Sequence, residues 1–316
     1  MMVRLHSYAA WLLVCVMALV FLFLGSGMDF DYLIPKRLAR LAAMFIGGVC
    51  VACSSIVFQT ITGNRILTPA IMGYEAVYLL WQALLVLAMG TYSLVALSSS
   101  GNFALSVLLL LGYSWMIHRW LFRDSSNNVY VLLLVGLVLT MVISTFTQFV
   151  QLRVSPGEFS VLLGFSQASF NRAQPEQLLY SAAAVIGVLL IGRQALPALD
   201  VLSLGRDQAT SLGVDYAREV RLYLALIATL VAVSTSLLGP TAFMGIFVAN
   251  ATYALARTFR HRITLPMGSA IAIAIFISAQ LLVEHLFNYK TTVGILVNLL
   301  CGGYFLVLMV RTRGAP

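Results

Sequence analysis

Long apolar runs constrain this chain more than any other feature of its sequence. Several approach or exceed the roughly 20 residues that an α-helix needs to cross the hydrocarbon core of a bilayer. Charged residues make up only 9% of the 316 residues, whereas about 25% is usual in soluble proteins. The sequence therefore predicts an all-α integral membrane protein that forms a single transmembrane domain over residues 1–316, with no large soluble domain between its spans.

Ten spans are predicted from these runs and from the polar residues that separate them. Arg4 and His6 precede the first run as they would in a signal peptide, but no clear cleavage site follows, so this run is interpreted as a span. A further run, Phe159–Phe165, is too short to span and suits an interfacial or re-entrant helix. The approximate spans are Tyr8–Leu24, Leu41–Phe58, Ala76–Leu97, Phe103–Leu121, Val129–Val150, Leu178–Leu196, Leu222–Leu238, Gly239–Leu255, Leu265–Val283 and Val293–Val310.

The distribution of basic residues predicts how the chain is oriented. With ten spans, the 19 Lys and Arg residues divide thirteen to six between the two faces, and the richer face of a membrane protein is the cytoplasmic one. Both termini and the polar segment after span six are therefore expected in the cytoplasm, and the net charge of +8 needs no nucleic-acid partner. Lys36, Arg37 and Arg40 lie on the poorer, outer face, where they indicate an acidic partner.

A polar segment, Asp200–Arg221, interrupts the apolar sequence between spans six and seven. Ala209 and Leu212 are predicted to belong to a short helix that ends at Gly213, because glycine adopts the left-handed conformation of a helix stop readily. Asp215 suits the N-cap of the next helix. Three apolar side chains of the segment are able to share one face: Leu204, Ala209 and Leu212. An ordered polar segment of this kind on a membrane protein indicates a partner.

Residue patterns that would support catalysis are absent from the sequence. It contains no H-E-x-x-H and no G-x-S-x-G pattern, and no G-x-x-x-x-G-K-[ST] loop that would hold ATP. The four cysteines all lie in apolar runs: Cys15, Cys50, Cys53 and Cys301. Cys50 and Cys53 are spaced as C-x-x-C, but no second ligand pair accompanies them, so buried cysteines are expected rather than a metal site or a disulfide. The chain is therefore predicted not to be an enzyme.

Five polar side chains in or near the spans each allow two interpretations. Glu75 is either a proton or substrate site, because intramembrane carboxylates are costly, or a carboxylate at a helix start near the cytoplasmic surface, where the helix dipole stabilises it. The second interpretation is favoured, and Glu284 is likewise interpreted as a solvated helix end. Gln59, Asn64 and Asn250 either line a path or cap the breaks beside which they lie.

Four motifs follow one another along the chain. The first runs from Arg37-Leu-Ala-Arg40 through Gly47-Gly48 and Gln59 to Gly63-Asn64-x-x-x-x-Pro69-x-x-x-Gly73, and the second is Leu204-Gly-Arg-Asp-Gln-Ala-Thr-Ser-Leu-Gly213. The third is Gly239-Pro-Thr-Ala-Phe-Met-Gly-Ile-Phe-Val-Ala-Asn250, and the fourth is His261-Arg262 with Leu265-Pro266. Together they resemble the motifs of permeases for ferric siderophores and vitamin B12, the membrane subunits of type II ABC importers. Departures from the family pattern lie at Ala39, Arg65 and Ala249-Asn250.

This resemblance implies an assembly around the chain. It implies ten helices per subunit, a second permease subunit that is identical or a sister chain, two cytoplasmic ATPase subunits and an extracytoplasmic substrate-binding protein. ATP and Mg would be bound by the ATPases, and no cofactor by this chain. The cargo would be a ferric siderophore, and residues 58–73 look most like the branch that handles catecholates. The implied localisation is the bacterial inner membrane, across which the importer would work by alternating access.

The resemblance also implies roles for individual residues. Docking of the binding protein would fall to Arg37 and Arg40, and Lys290 is added because it lies on the same predicted face. Coupling to the ATPase would fall to residues in the coupling helices, about residues 202–221: Leu204, Gly205, Arg206, Asp207, Gln208, Ala209, Leu212 and Gly213. The candidates for the translocation path lie at the breaks in the spans: Gln59, Asn64, Gly239, Pro240 and Asn250.

Other functions remain open at this point, and each predicts a different feature. An ABC permease for another chelate, such as vitamin B12 or haem, would share the motifs. An ion-coupled secondary transporter would need no ATPase and would show buried charges or broken helices in the middle of the membrane. An intramembrane enzyme would need a nucleophile and a base paired within the spans, and the sequence shows no such pair.

Overall fold

Twelve α-helices make up most of the residues that the structure, a computed structural model, describes: 2–24, 31–90, 98–121 and 129–313. They are α1 Met2–Phe23, α2 Leu33–Thr62, α3 Tyr74–Met89, α4 Ser98–Leu121, α5 Val129–Gln151, α6 Pro156–Ser166, α7 Pro175–Leu202, α8 Arg206–Ser211, α9 Tyr216–Leu238, α10 Ala242–Ala256, α11 His261–Leu281 and α12 Val293–Arg313. A 3-10 helix, Pro69–Met72, precedes α3, and a π-helical turn, Leu282–Leu286, continues α11. No β-strand occurs in the described ranges, and the predicted all-α class is confirmed.

Six of the described helices are long and apolar enough to cross a membrane, judged by length and composition: α2, α4, α5, α7, α9 and α11 with its π turn. Four shorter apolar segments lie in α1, α3, α10 and α12. These segments fall on the ten predicted spans, although the end of the third predicted span, residues 91–97, lies outside the described residues. That all ten segments cross the bilayer stays a prediction.

Helix α2 lies at the centre of the fold and packs against both α9 and α11. A Cβ atom added to Gly47 would lie 2.1 Å from Leu238 Cδ1 on α9, and one added to Gly48 would lie 2.7 Å from Ile273 Cγ1 on α11. Neither distance leaves room for a side chain, so glycine is what lets these helices approach. The two glycines therefore account for the close packing of α2 against α9 and α11.

The polar segment between α7 and α9 folds as its local signals predict. Gly205 and Gly213 bracket α8 with φ angles of 98° and 82°, in the region that glycine adopts most readily. The Asp215 carboxylate accepts a hydrogen bond of 3.1 Å from the backbone N–H of Arg218 and caps the start of α9. The short helix, its glycine stop and the N-cap are therefore confirmed.

The apolar run at residues 159–165 lies in a separate short helix, α6. Its N-terminus carries a capping box, in which the Ser155 hydroxyl accepts from the Glu158 backbone N–H and the Glu158 carboxylate accepts from the Ser155 backbone N–H. A helix of 11 residues is about 16 Å long, too short to cross a bilayer. The prediction of a short, non-spanning helix is confirmed, and its position relative to the membrane stays a prediction.

The cysteines are unpaired, and most are buried. Cys50, Cys53 and Cys301 are buried free thiols, whereas Cys15 on α1 is exposed. In the part of the chain that the structure describes, no three His, Cys, Asp or Glu side chains are grouped so that they could hold a metal ion. The expectation of buried cysteines therefore holds for all but Cys15.

Candidate docking, coupling and translocation sites

A buried ion-pair network joins the start of α2 to the end of α11. Arg40 Nη1 lies 3.0 Å from Glu284 Oε1, and Arg37 Nη2 lies 3.7 Å from Glu284 Oε2. Gln280 Nε2 also donates to Glu284 Oε1, at 2.7 Å. The Glu284 side chain is only 5% exposed, so its interpretation as a solvated helix end is wrong. The sequence did not show this burial, because the two arginines that pair with Glu284 lie near the other end of the chain.

Arg37 is occupied within the chain itself. Its Nη1 donates to the backbone carbonyl oxygens of Phe21 at 2.7 Å and Leu24 at 2.6 Å, and so satisfies acceptors that the C-terminus of α1 leaves free. The residue is 8% exposed. Arg37 therefore fixes α1 and α2 together, and the surface available to a partner comes from its neighbours.

The exposed basic surface beside this network consists of Lys36, Arg40 and Lys290. Lys36 and Lys290 are exposed, and the Arg40 side chain is 24% exposed. Tyr289 completes the surface, with its hydroxyl 3.5 Å from Arg40 Nη1. Partial burial raises the pKa of Tyr289, and the nearby Glu284 carboxylate acts in the same direction. Lys36, Arg40 and Lys290 thus form a positively charged rim. Beneath it, the charges of Arg37 and Glu284 compensate each other.

The carboxylate of Glu75 lies where two helices begin. It is in the first turn of α3, and its Oε1 accepts a hydrogen bond of 2.8 Å from the backbone N–H of Thr241, at the start of α10. Both helix N-termini carry partial positive charge that favours a carboxylate. The interpretation of Glu75 as a carboxylate at a helix start is thus confirmed.

The Glu75 side chain lies against the interior of the fold, beside α2. Together with Ser55 of α2 it lines a small cavity of about 30 Å³. Ser55 lies about 22 Å from Arg40 and about 8 Å from Thr60 along α2, at 1.5 Å per residue. Helices α3 and α10 therefore start beside an interior position of α2 and not at its end.

Three candidates for the translocation path hold the turn that follows α2. Gln59 Nε2 donates to the carbonyl oxygen of Arg65 at 2.9 Å, and Asn250 Nδ2 donates to the same oxygen at 3.1 Å. Asn64 Oδ1 accepts from the backbone N–H of Ile66 at 2.9 Å. These contacts fix the connection between α2 and the 3-10 helix, so the capping interpretation describes their contacts within this chain.

The Gly239-Pro240 break packs against the segment between α6 and α7. Gly239 has a φ of 96°, and a Cβ atom there would lie 3.1 Å from the carbonyl oxygen of Gln167 and 3.2 Å from Arg172 Nη2. Arg172 Nη2 also donates to that Gln167 oxygen at 2.6 Å and to the carbonyl oxygen of Leu238 at 3.2 Å. The break is therefore held from outside α9 by the Arg172 guanidinium together with the backbone N–H of Ser169, which also donates to the Leu238 oxygen, at 2.9 Å.

Arg172 also lines a large cavity, which sequence reasoning missed. The cavity has a volume of about 800 Å³, and amide side chains such as Gln82, Asn102 and Gln177 contribute to its wall. Arg172 is the one charged residue among the described lining residues. Its buried Nε has no hydrogen-bond partner in the described residues, and burial lowers the pKa of the guanidinium. No motif points to Arg172, so only the packing reveals it.

At the opposite end of α2, a second network joins three helices. Asp200, near the end of α7, accepts a hydrogen bond of 2.9 Å from the backbone N–H of His261, and its Oδ1 lies 2.6 Å from His261 Nδ1. His261 Nε2 lies 2.9 Å from the hydroxyl of Thr60 on α2. The polar segment that carries α8 is therefore connected directly to α2 and α11.

The exposed face of the α8 segment differs from the predicted one. Ala209 is 0% exposed and packs among Leu199, Leu202 and Val220 in the core of the chain. Leu212 is 64% exposed. The prediction that Ala209 faces a partner is therefore wrong, because contacts with α7 and α9 turn that side of α8 inward. The other predicted coupling residues are all exposed: Leu204, Gly205, Arg206, Asp207, Gln208, Leu212 and Gly213.

The chain is similar to known transport proteins over nearly its whole length. The sequence model of a family described as the FecCD transport family matches residues 6–311. The petrobactin import system permease protein YclO of Bacillus subtilis is 35% identical over 95% of this chain and 94% of that protein. The petrobactin import system permease protein FatC of Bacillus anthracis is 33% identical over 90% of this chain and 80% of its own length.

A solved structure has the same fold. A metal-chelate type ABC transporter in an inward-facing conformation matches with a TM-score of 0.85 over 98% of this chain and 99% of that chain, at 21% identity. At this identity the match speaks for the fold alone.

Proposed function

Because the chain belongs to the FecCD transport family, we propose that it is a membrane-spanning permease subunit of an ATP-driven importer for ferric siderophores. The observation that carries the proposal is the similarity to a petrobactin import permease over 95% of the chain at 35% identity. Family membership makes the chain a transport subunit and not an enzyme. Chemical work would fall to two partner ATPases, which would hold ATP and Mg.

The proposed arrangement has ten spans, with both termini and α8 in the cytoplasm of a bacterium and the Arg40 surface outside. The charge bias supports this orientation, since thirteen of the 19 Lys and Arg residues fall on the α8 side. The outer rim of Lys36, Arg40 and Lys290 would meet acidic residues of a substrate-binding protein. Arg37 would hold the start of α2, and with it Lys36 and Arg40, in place by hydrogen bonding to the end of α1.

Coupling would run through the α8 segment. Its exposed leucines and charges suit a cleft on an ATPase, while Ala209 and Leu202 anchor the segment in the permease core. Movement of the segment would reach α11 and α2 through Asp200 and His261, because both residues are bonded across these helices. A second permease subunit, identical or a sister chain, would form the other wall of the path.

The cavity around Arg172 also borders Tyr289 of the Arg40 surface, and we call it the outer cavity. Its lining suits an anionic, oxygen-rich cargo. Its one charged lining residue, Arg172, has a buried Nε without a partner, and several amide side chains surround it. Amide and guanidinium donors suit ligand oxygens that bear negative charge. A ferric siderophore offers such oxygens on its surface, and a catecholate type is the cargo we favour.

The test is uptake into proteoliposomes that contain this chain, its sister permease and the ATPase, with the binding protein outside. We expect transport of radiolabelled iron as ferric petrobactin that requires internal ATP and is lost when the binding protein is left out. Haem and vitamin B12 serve as competing cargoes. If haem or vitamin B12 were taken up with ATP and ferric petrobactin were not, the chain would still be an importer subunit, but its cargo would have been assigned wrongly. Uptake driven by an ion gradient without ATP would refute the importer.

A further inference from the structure

An apolar cleft opens between α7, α9 and α11 on the side of the molecule that carries α8. Its volume of about 400 Å³ lies within the range of roughly 300–1,000 Å³ that is usual for ligand sites. Leu189 of α7, Leu226 and Leu230 of α9, and Leu265 of α11 contribute to its walls. The proposed function does not use this cleft, which is separate from the outer cavity around Arg172.

Two arginines line the same cleft. Arg193 projects from α7 and Arg262 from the first turn of α11, and both residues are exposed. Among the described residues, neither has an acidic side chain within ion-pair distance. The carboxylate that borders this region, Asp200, is already engaged by His261. Two positive charges at one apolar cleft thus lack an anion from the chain.

The depth of Arg193 makes this absence costly. It lies about 10 Å before Asp200 along α7, at 1.5 Å per residue, and follows the apolar stretch Leu189-Leu-Ile191. An arginine at such a position in a span needs a counter-charge or must direct its guanidinium toward the interface. Arg262, at the start of α11, lies on the side toward which Arg193 would extend.

The cleft opens beside exposed apolar side chains of α7. Helix α7 is largely exposed along its length, and Ile186, Leu190 and Ile191 next to the cleft are 56%, 58% and 50% exposed. Side chains of this kind on a membrane helix meet acyl chains when no protein covers them. An occupant of the cleft would therefore enter from the bilayer, with its polar end at the arginines.

We propose that the cleft binds an anionic phospholipid from the leaflet on the α8 side. One acyl chain would lie between α7 and α11, and the phosphate would lie between the guanidinium groups of Arg193 and Arg262. Basic pockets between membrane helices are known binding places for anionic headgroups. The bound lipid would also contact His261, which lines the cleft and connects α7 to α11 and α2.

The experiment is native mass spectrometry of the full-length chain in detergent, with phosphatidylglycerol or phosphatidylcholine of identical acyl chains added. We expect one retained phosphatidylglycerol, and about a tenfold lower retained fraction in the double variant Arg193→Gln/Arg262→Gln, because each basic residue contributes to headgroup affinity. The matched control is Arg221→Gln/Arg260→Gln. It removes the same charge from exposed positions on the same side that do not line the cleft.

A second variant tests the cleft without changing charge. A Cβ atom at Gly192 would meet only Leu226 Cδ1, at 3.8 Å, so Gly192→Leu would place its side chain in the cleft and should also release the lipid. Equal retention of phosphatidylglycerol in all of these variants would overturn the proposal. Equal retention of phosphatidylcholine and phosphatidylglycerol by the unmodified chain would overturn it as well. The readout involves no transport, so its failure is distinct from failure of the importer proposal.

Discussion

Replacement of Leu212 by aspartate tests whether the α8 segment binds an ATPase. Leu212 is 64% exposed in this chain, and complete burial of a leucine side chain contributes roughly 1.5–3 kcal/mol. Covering the exposed two-thirds would therefore contribute about 1–2 kcal/mol, which corresponds to about five- to thirtyfold in the dissociation constant. A carboxylate buried there without a partner would weaken the complex further.

The assay is copurification of the ATPase with the permease, together with ATP-driven uptake in proteoliposomes. We expect Leu212→Asp to be inserted and folded normally, since its site is exposed, but to lose ATPase association and uptake. The matched control is Phe259→Asp, which changes a side chain that is 65% exposed on the same side but outside the α8 segment. Normal association and uptake in Leu212→Asp would refute the assignment of the coupling surface.

Ala209→Asp completes this comparison, because it places the same charge on the opposite side of α8. Ala209 is 0% exposed in the core, so an unpaired carboxylate there should cost several kcal/mol of the permease's own stability. We expect a lower melting temperature in detergent for Ala209→Asp and an unchanged one for Leu212→Asp. The reverse order would show that the two faces of α8 had been assigned wrongly.

Three further predictions concern the outer network and the orientation. Reversal of Lys36 and Lys290, the two exposed lysines of the rim, to glutamate should slow association with the binding protein, most strongly at low salt, as surface plasmon resonance would show; an unchanged association rate would contradict the docking surface. Glu284→Gln should lower the unfolding free energy by about 3–5 kcal/mol, because it leaves two arginines without their buried counter-charge, and an unchanged thermal melt would contradict this. In a variant without native cysteines, Asn171→Cys and Ser203→Cys should react with an impermeant thiol reagent from opposite faces; labelling from one face would contradict the proposed topology.

Features encoded by a few neighbouring residues could be predicted from the sequence. Gly213 ends α8 and Asp215 caps α9 because a glycine stop and a carboxylate cap act within a few residues. The two adjacent glycines of α2 act for a similar local reason, since residues without a side chain allow helices to approach. The positions of the apolar segments also follow from composition alone.

Features that depend on distant partners could not be predicted from one sequence. Glu284 can be buried because it pairs with Arg40. Arg40 is 244 residues away in the chain, so the pairing could not be predicted from neighbouring residues. Glu75 is held by Thr241, which is 166 residues away, and its depth follows from that contact. Ala209 lies on a helix of six residues, which is too short for periodicity to show which side faces the core.

The two polar networks suggest why α2 and α11 matter for transport. At one end these helices meet through Thr60 and His261, which Asp200 connects to the α8 segment. At the other end they meet through Arg40 and Glu284, beside the proposed docking surface. Between the two ends Gly48 and Ile273 are in such close contact that the helices have little freedom to slide separately.

A pair of helices joined in this way would respond as one unit to either partner. If docking of the binding protein favours one position of the helix pair, it also favours the matching position of the α8 segment. By linkage, association of the ATPase must change the affinity for the binding protein by the same factor. Neither network has to change its own contacts for this coupling to operate. The buried positions of Glu284 and His261, which the sequence did not reveal, are thus the ones on which communication between the two faces would depend.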